Sequence, residues 1–292
     1  MGVVLGIVAR NLRLFFRDRM NVFFSLLAAI ILFALYTLFL GNLQSASLET
    51  SFPNATSAEL KAFVDTWMFA GIVGITSITT GLGALGVLVE DGASGRFRDF
   101  LVSPIRRGQL VLGYLLAALI ISLVMTLVVL VASLAYMFFV SGVTLPLPSL
   151  LLVLAYIALS AAAFTALSAF IASFISTVAS FAALSTIVGT ILGFIAGAYL
   201  PVGVLPEGVR VVVNALPFAQ SAMLLRQELT AGTLATLTGG QPEAEEFLRE
   251  FYGIDLVVGD WTVPTGYVVA ILAAMVVVFF ALASARIRAR IV

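Results

Sequence analysis

The chain has no cysteine and no histidine, a single lysine, and charge on only 10% of its 292 residues. Each shortage closes off a chemistry. Without cysteine there is no thiol nucleophile and no disulfide, and without histidine there is no imidazole base and no ordinary zinc site. A phosphate-binding loop needs a lysine beside its glycines. The only lysine, Lys61, falls in an acidic connection between apolar runs, which excludes an ATP site within this chain. Apolar residues take the place of what is missing: 62% are hydrophobic, against a charged share of about 25% in soluble domains. With a mean hydropathy of +1.16, the solvent of this protein is a lipid bilayer.

A helix needs about 20 apolar residues to cross the hydrocarbon, and charges at its centre are costly, so uncharged runs mark the spans. Six are expected: Met20 to Leu40, Thr66 to Val89, Gly108 to Val140, Leu150 to Ile175, Phe181 to Leu200 and Val263 to Ala285. The long uncharged stretch Gly108 to Pro206 is divided at Gly142, Pro146 and Pro148, and again at the weaker polar break Ser176 to Ser180. The first apolar run follows four arginines and is too long for a cleaved leader, so it reads as an anchor.

With the N-terminus in the cytoplasm, Arg10, Arg13, Arg17, Arg19, Arg96, Arg98, Arg106, Arg107, Arg286, Arg288 and Arg290 all fall inside. Only Lys61, Arg210, Arg226 and Arg249 fall outside, while most acids do. This partition obeys the positive-inside rule and predicts both termini in the cytoplasm. The fold class expected is all-α: a polytopic membrane protein with six transmembrane helices in one permease-sized unit over residues 1–292.

Two flanking elements complete that expectation. Over residues 1–19, Arg10, Arg13 and Arg17 recur at helical spacing opposite Val4, Val8, Leu12, Phe15 and Phe16, the pattern of an interfacial amphipathic helix. Its arginines suit anionic headgroups or a protein partner. Between the fifth and sixth spans, residues 201–262 form the largest external segment. Gly208 to Leu229 is apolar but interrupted, which suits a re-entrant or interfacial helix pair. Pro242 then opens a helix with Glu243, Glu245 and Glu246 in its first turn and Phe247, Leu248, Phe251 and Tyr252 on one face. That helix is expected on the external surface, as a cap or a gate.

The connection between spans two and three, residues 90–107, is the most informative stretch. It reads EDGASGRFRDFLVSPIRR. Phe97, Phe100 and Leu101 fall on one face of a short helix flanked by Arg96, Arg98 and Asp99. Ser103 and Pro104 read as the N-cap and first residue of the following helix. An apolar face on a short cytoplasmic helix serves either packing against the bundle or docking of a cytosolic protein. Span two is also rich in small residues, Gly71, Gly74, Gly81, Gly83 and Gly86 among Thr76, Ser77, Thr79 and Thr80, which suits close helix packing or a mildly polar path.

Together, the arginine-rich lead into span one, Glu90 with Gly95, the Leu101-Val-Ser-Pro104 run with Arg106 and Arg107, and the later Leu216-Pro217-Phe218 and Leu225-Arg226 resemble permeases of the ABC-2 type. The resemblance implies a homodimer, or a pair with a homologue, in the plasma or inner membrane, joined to two cytosolic ABC ATPase subunits that bind ATP and Mg. It implies no cofactor and no enzymatic activity in this chain, and no nucleic-acid partner. It assigns ATPase coupling to Glu90, Asp91, Gly95, Arg96, Phe97, Arg98, Phe100, Leu101 and Pro104, and interfacial roles to Arg10, Arg13 and Arg17. The expected substrate is an amphiphilic drug, lipid or lipid-linked molecule moving outward.

Three other classes compete. A proton- or sodium-coupled carrier places ionisable side chains at membrane depth, and the six expected spans carry none. An intramembrane enzyme needs a nucleophile with a base, and without His, Cys or a buried carboxylate only a poorly placed Ser-Lys pair remains. A non-transporting scaffold or sensor subunit is compatible with the same sequence.

Overall fold

The structure, a computed structural model, describes residues 2–97 and 105–290. Helix α1 (Gly2–Arg17) lies ahead of the bundle and ends where Asp18 caps the next helix, its carboxylate accepting the Met20 and Asn21 amides at 3.1 and 3.0 Å. Helix α2 (Arg19–Leu35) then continues through a π-helical turn, Tyr36–Leu40, into α3 (Gly41–Ser51). That run of 33 residues is about 50 Å long at 1.5 Å per residue, well beyond the hydrocarbon thickness.

The first helix is therefore longer than the span expected to stop at Leu40. Hydropathy ends there, but nothing breaks the helix until Pro53, and α3 gains contacts with the second span. Gly41 makes the π-turn possible: a Cβ there would lie 2.7 Å from the Tyr36 carbonyl oxygen. The turn swings Tyr36 inward, where its hydroxyl donates to the Tyr199 carbonyl at 3.0 Å.

Helix α4 (Ser57–Ala84) starts with a capping box, Thr56 and Glu59 bonding reciprocally, and bends at Leu85 into α5 (Gly86–Ala93). It is the hub of the bundle, packed by α2, by α6 (Arg107–Phe139), by α7 (Leu147–Ala172) and by α10 (Pro217–Thr238). Lys61 lies in the early turns of this helix rather than in a loop, paired with Asp65 at 2.6 Å. The small residues let neighbours close in. A Cβ on Gly71 would sit 2.9 Å from Ala198 Cβ, and one on Gly81 would sit 2.7 Å from Thr165 Oγ1. Thr76, Ser77 and Thr80 are buried and donate to carbonyls one turn back in their own helix, so this stretch is packing surface.

Helix α6 begins later than expected. Arg106 has extended backbone (φ −74°, ψ 134°) and its amide donates to the Gln109 side chain at 3.1 Å, so Pro104 is not the first residue of this helix. Helix α8 (Val178–Ile195) starts at the weak polar break, where Thr177 accepts from the Ser180 amide. Helix α12 (Thr265–Arg290) closes the bundle against α7.

Among the described residues, six helical runs are long and apolar enough to cross a membrane. The fold is an all-α polytopic membrane protein. Its outer faces expose Leu38, Val131, Phe139, Ile187 and Val277, as lipid-facing helices do.

Between α8 and α12, α9 (Glu207–Ala215) and α10 meet at Leu216-Pro217 with a bend of 82°. Proline removes an amide and forces extended backbone on Leu216. Helix α10 runs on to Thr238, nine residues past the expected Leu229. Helix α11 (Pro242–Phe251) follows, with Leu248 and the adjoining Tyr252 buried and Phe247 exposed. A two-residue antiparallel pair, β1 (Val257–Val258) with β2 (Trp261–Thr262), leads into α12 and had no sequence signal.

Candidate functional site at the arginine-rich end

Helix directions alternate so that α1, the end of α5, the starts of α6 and α8 and the end of α12 gather at one end of the bundle. Asp91, in the last turn of α5, is wholly buried there. Its carboxylate accepts a bidentate pair from Arg10 of α1, at 2.7 and 3.1 Å, and a third bond from Arg96 at 3.1 Å. The Tyr114 hydroxyl of α6 donates to it as well. Arg10 also reaches Asn11 Oδ1 at 2.9 Å, and Arg96 reaches Glu90 at 3.4 Å. Three elements and the start of the α5–α6 connection therefore converge on one carboxylate.

The electrostatics are self-consistent. Two guanidinium groups balance Asp91 and Glu90, and bidentate geometry is the strongest form of such a pair. The hydrogen bond to Asp91 raises the Arg10 and Arg96 guanidinium groups above their ordinary values, so both stay charged. An unpaired carboxylate at this depth would cost several kcal/mol, by an order-of-magnitude rule of about 3–5 kcal/mol for breaking a buried pair.

Packing reinforces the charge cluster. Ile7 of α1 sits against Gly113 of α6, where a Cβ would lie 2.6 Å from Ile7 Cγ2. Ile7, Val8, Asn11 and Phe15 are buried, so the apolar side of α1 faces the bundle rather than lipid alone. Arg13 and Arg17 are exposed. Gly95 adopts the left-handed conformation (φ +75°) that turns the chain out of α5 and sends Arg96 back to Asp91. Phe97 is half-buried, edge-on to Tyr114 at 5.9 Å and close over Gly92. Its ring thus packs inward. Arg98, Phe100, Leu101 and Pro104 lie outside the described residues. Sequence reasoning missed Asn11 and Tyr114; a phenol one or two turns inside a span, near an arginine-rich interface, is the signal that marks the latter.

A second buried charge stands at the opposite end. Arg226, which the hydropathy pattern places in an external segment, is 0% exposed. Its guanidinium donates to the carbonyls of Ala196 (2.9 Å), Gly197 (2.7 Å) and Gly253 (3.3 Å) and lies 5.3 Å from the Trp67 ring. Gly197 and Gly253 both have positive φ, and a Cβ on either would come within 3.2 or 3.0 Å of the guanidinium. This cation therefore staples the C-terminal end of α8 to the external segment and to α4.

The family model for ABC-2 type transporters matches residues 3–229. The chain belongs to the ABC-2 type transporter family. It is accordingly a multi-pass membrane permease, the transport subunit of a system whose family works with an ABC ATPase. The match begins in α1, takes in the Asp91 cluster and ends in α10 just past Arg226, so α11, the small hairpin and α12 lie beyond it. No curated protein sequence matches this permease significantly. Among the described residues, no three acidic side chains are placed to hold a metal ion.

Proposed function

We propose that this ABC-2 permease is the membrane half of an ATP-driven exporter of amphiphilic molecules. It works as a dimer, with itself or a homologue, on two cytosolic ATPase subunits that bind ATP and Mg. Both termini and residues 90–107 face the cytoplasm of a plasma or inner membrane. The single observation that carries this reading is the Arg10–Asp91–Arg96 cluster. It locks α1, α5, α6 and the start of the α5–α6 connection into one body, which is what a lever receiving force from a cytosolic motor requires. A displacement of residues 90–107 passes directly to α4, the hub of the bundle, because α5 is its continuation.

Residues 90–107 serve as the coupling segment, with the residues beyond Phe97 making the ATPase contact. Co-purification tests this: Asp91→Asn, which loosens the segment, is expected to lower recovery of the ATPase at least fivefold while membrane insertion is kept. Unchanged recovery with unchanged ATP-stimulated transport would contradict it.

A further inference from the structure

At the acidic end of the bundle, the start of α4, the turn between α6 and α7, and the middle of α10 enclose a cavity of about 430 Å³. That is the size range of sites for drug-like molecules. Its walls are mostly apolar, with Val143 and Leu145 from the turn and Leu229 from α10. Two carboxylates join them, Glu59 from α4 and Glu228 from α10, and no lysine or arginine lines the space. Nearby Lys61 is already neutralised by Asp65, which the Ser141 hydroxyl also bonds at 2.7 Å.

The two acids differ. Glu59 is half-buried, and its carboxylate is already engaged, accepting the Thr56 amide and hydroxyl, both at 2.8 Å. Glu228 is half-buried and has no hydrogen-bond or ion-pair partner among the described residues. A carboxylate set in an apolar wall without a partner attracts a positive charge more strongly than one in water, because the field there is less screened. Only two carboxylates line the cavity, and among the described residues no three acidic side chains are placed to hold a metal ion. The cavity's shape and lining instead suit a single diffuse positive charge on an apolar body.

We propose that this cavity is a binding site for organic monocations with an apolar body, and that Glu228 selects their charge. The site rests on the permease reading and narrows its cargo from amphiphiles in general to cationic ones, held at the end of the bundle opposite the Asp91 cluster. Thr76, Ser77 and Thr80 are buried against the neighbours of α4, and this cavity opens at the start of that helix.

The test uses two probes of matched size and opposite charge, tetraphenylphosphonium and tetraphenylborate, and the purified full chain in nanodiscs without any ATPase. Equilibrium dialysis against empty nanodiscs removes lipid partitioning. Saturable tetraphenylphosphonium binding is expected, with tetraphenylborate binding at least tenfold more weakly. Glu228→Gln should weaken the cation at least fivefold and Glu59→Gln about twofold or less, whereas Glu246→Gln, an exposed acid on α11 outside the cavity, should change nothing. Gly232→Trp fills the cavity from α10 at a position where a Cβ meets nothing within 4 Å, and should abolish saturable binding without unfolding the chain. Equal binding of the two probes, Glu228→Gln binding within twofold of the unsubstituted chain, or undiminished binding in Gly232→Trp would overturn the proposal. Loss of ATP-driven transport with probe binding intact counts against the permease reading instead, so the two failures are told apart.

Discussion

At the residue scale, the fold concentrates its cost and its specificity on Asp91 and Arg226, the two charged residues at 0% exposure among those described. Asp91 and Arg10 are 81 positions apart, and Asp91 and Tyr114 are 23 apart, so no local pattern in the sequence joins them. Asp91→Asn and Arg10→Met should each lower the thermal midpoint, because the first removes the charge that both Arg10 and Arg96 bond and the second leaves the buried carboxylate with Arg96 and Tyr114 alone. The double variant should cost clearly less than the sum of the two. A strictly additive double-mutant cycle in thermal unfolding would show that the pair is not coupled. Arg226 poses the reverse case, a cation held by three carbonyls and the Trp67 ring with no carboxylate partner among the described residues. Arg226→Lys keeps the charge but cannot span Ala196, Gly197 and Gly253 with one ammonium, so it should restore less than half of the stability lost in Arg226→Met. Full rescue by lysine would mean that charge, not the fork of the guanidinium, is what the socket requires.

At the element scale, what was legible was the apolar core of each span, and what was not was where each helix ends. Hydropathy reports the solvent around a helix, whereas its ends are set by breakers and caps. Thus α3 continues through Asn42, Gln44 and Glu49 until Pro53, and α6 waits for Gln109 to cap Arg106. The amphipathic face of α1 was legible from its spacing; its partner was not, because the groove it fills is made by the absence of a side chain at Gly113. Gly113→Leu should push α1 off α6. Since the chain has no cysteine, a single Val8→Cys in the buried face offers a clean readout: slow maleimide labelling in the parent background and at least tenfold faster labelling with Gly113→Leu. Substitution can divide the proposed coupling segment. Phe97 packs on Tyr114, so Phe97→Ala should reduce thermal stability, whereas Phe100→Ala should reduce ATPase recovery with stability unchanged. Equal effects of both on recovery would assign Phe97 to the docking face.

At the scale of the whole molecule, the helices and the family agree on a multi-pass permease, and the proposed function sets its arginine-rich end against the motor. Reporter fusions at Val292 and between Gly92 and Arg107 should be active as cytoplasmic markers, and those at Thr56 or Gly240 inactive. An external C-terminus would remove the basis for the coupling assignment. Asp91 and Arg226, wholly buried near opposite ends of the bundle, are both tied to other groups of the protein. Under the proposed function the energy arrives mechanically, from the ATPase. The most direct measurement is transport in liposomes by the permease with and without its ATPase, in the presence of an ionophore that collapses proton and sodium gradients. Uptake that requires the ATPase and ATP and survives the ionophore is the predicted result; transport by the permease alone, abolished when the gradient collapses, would contradict it.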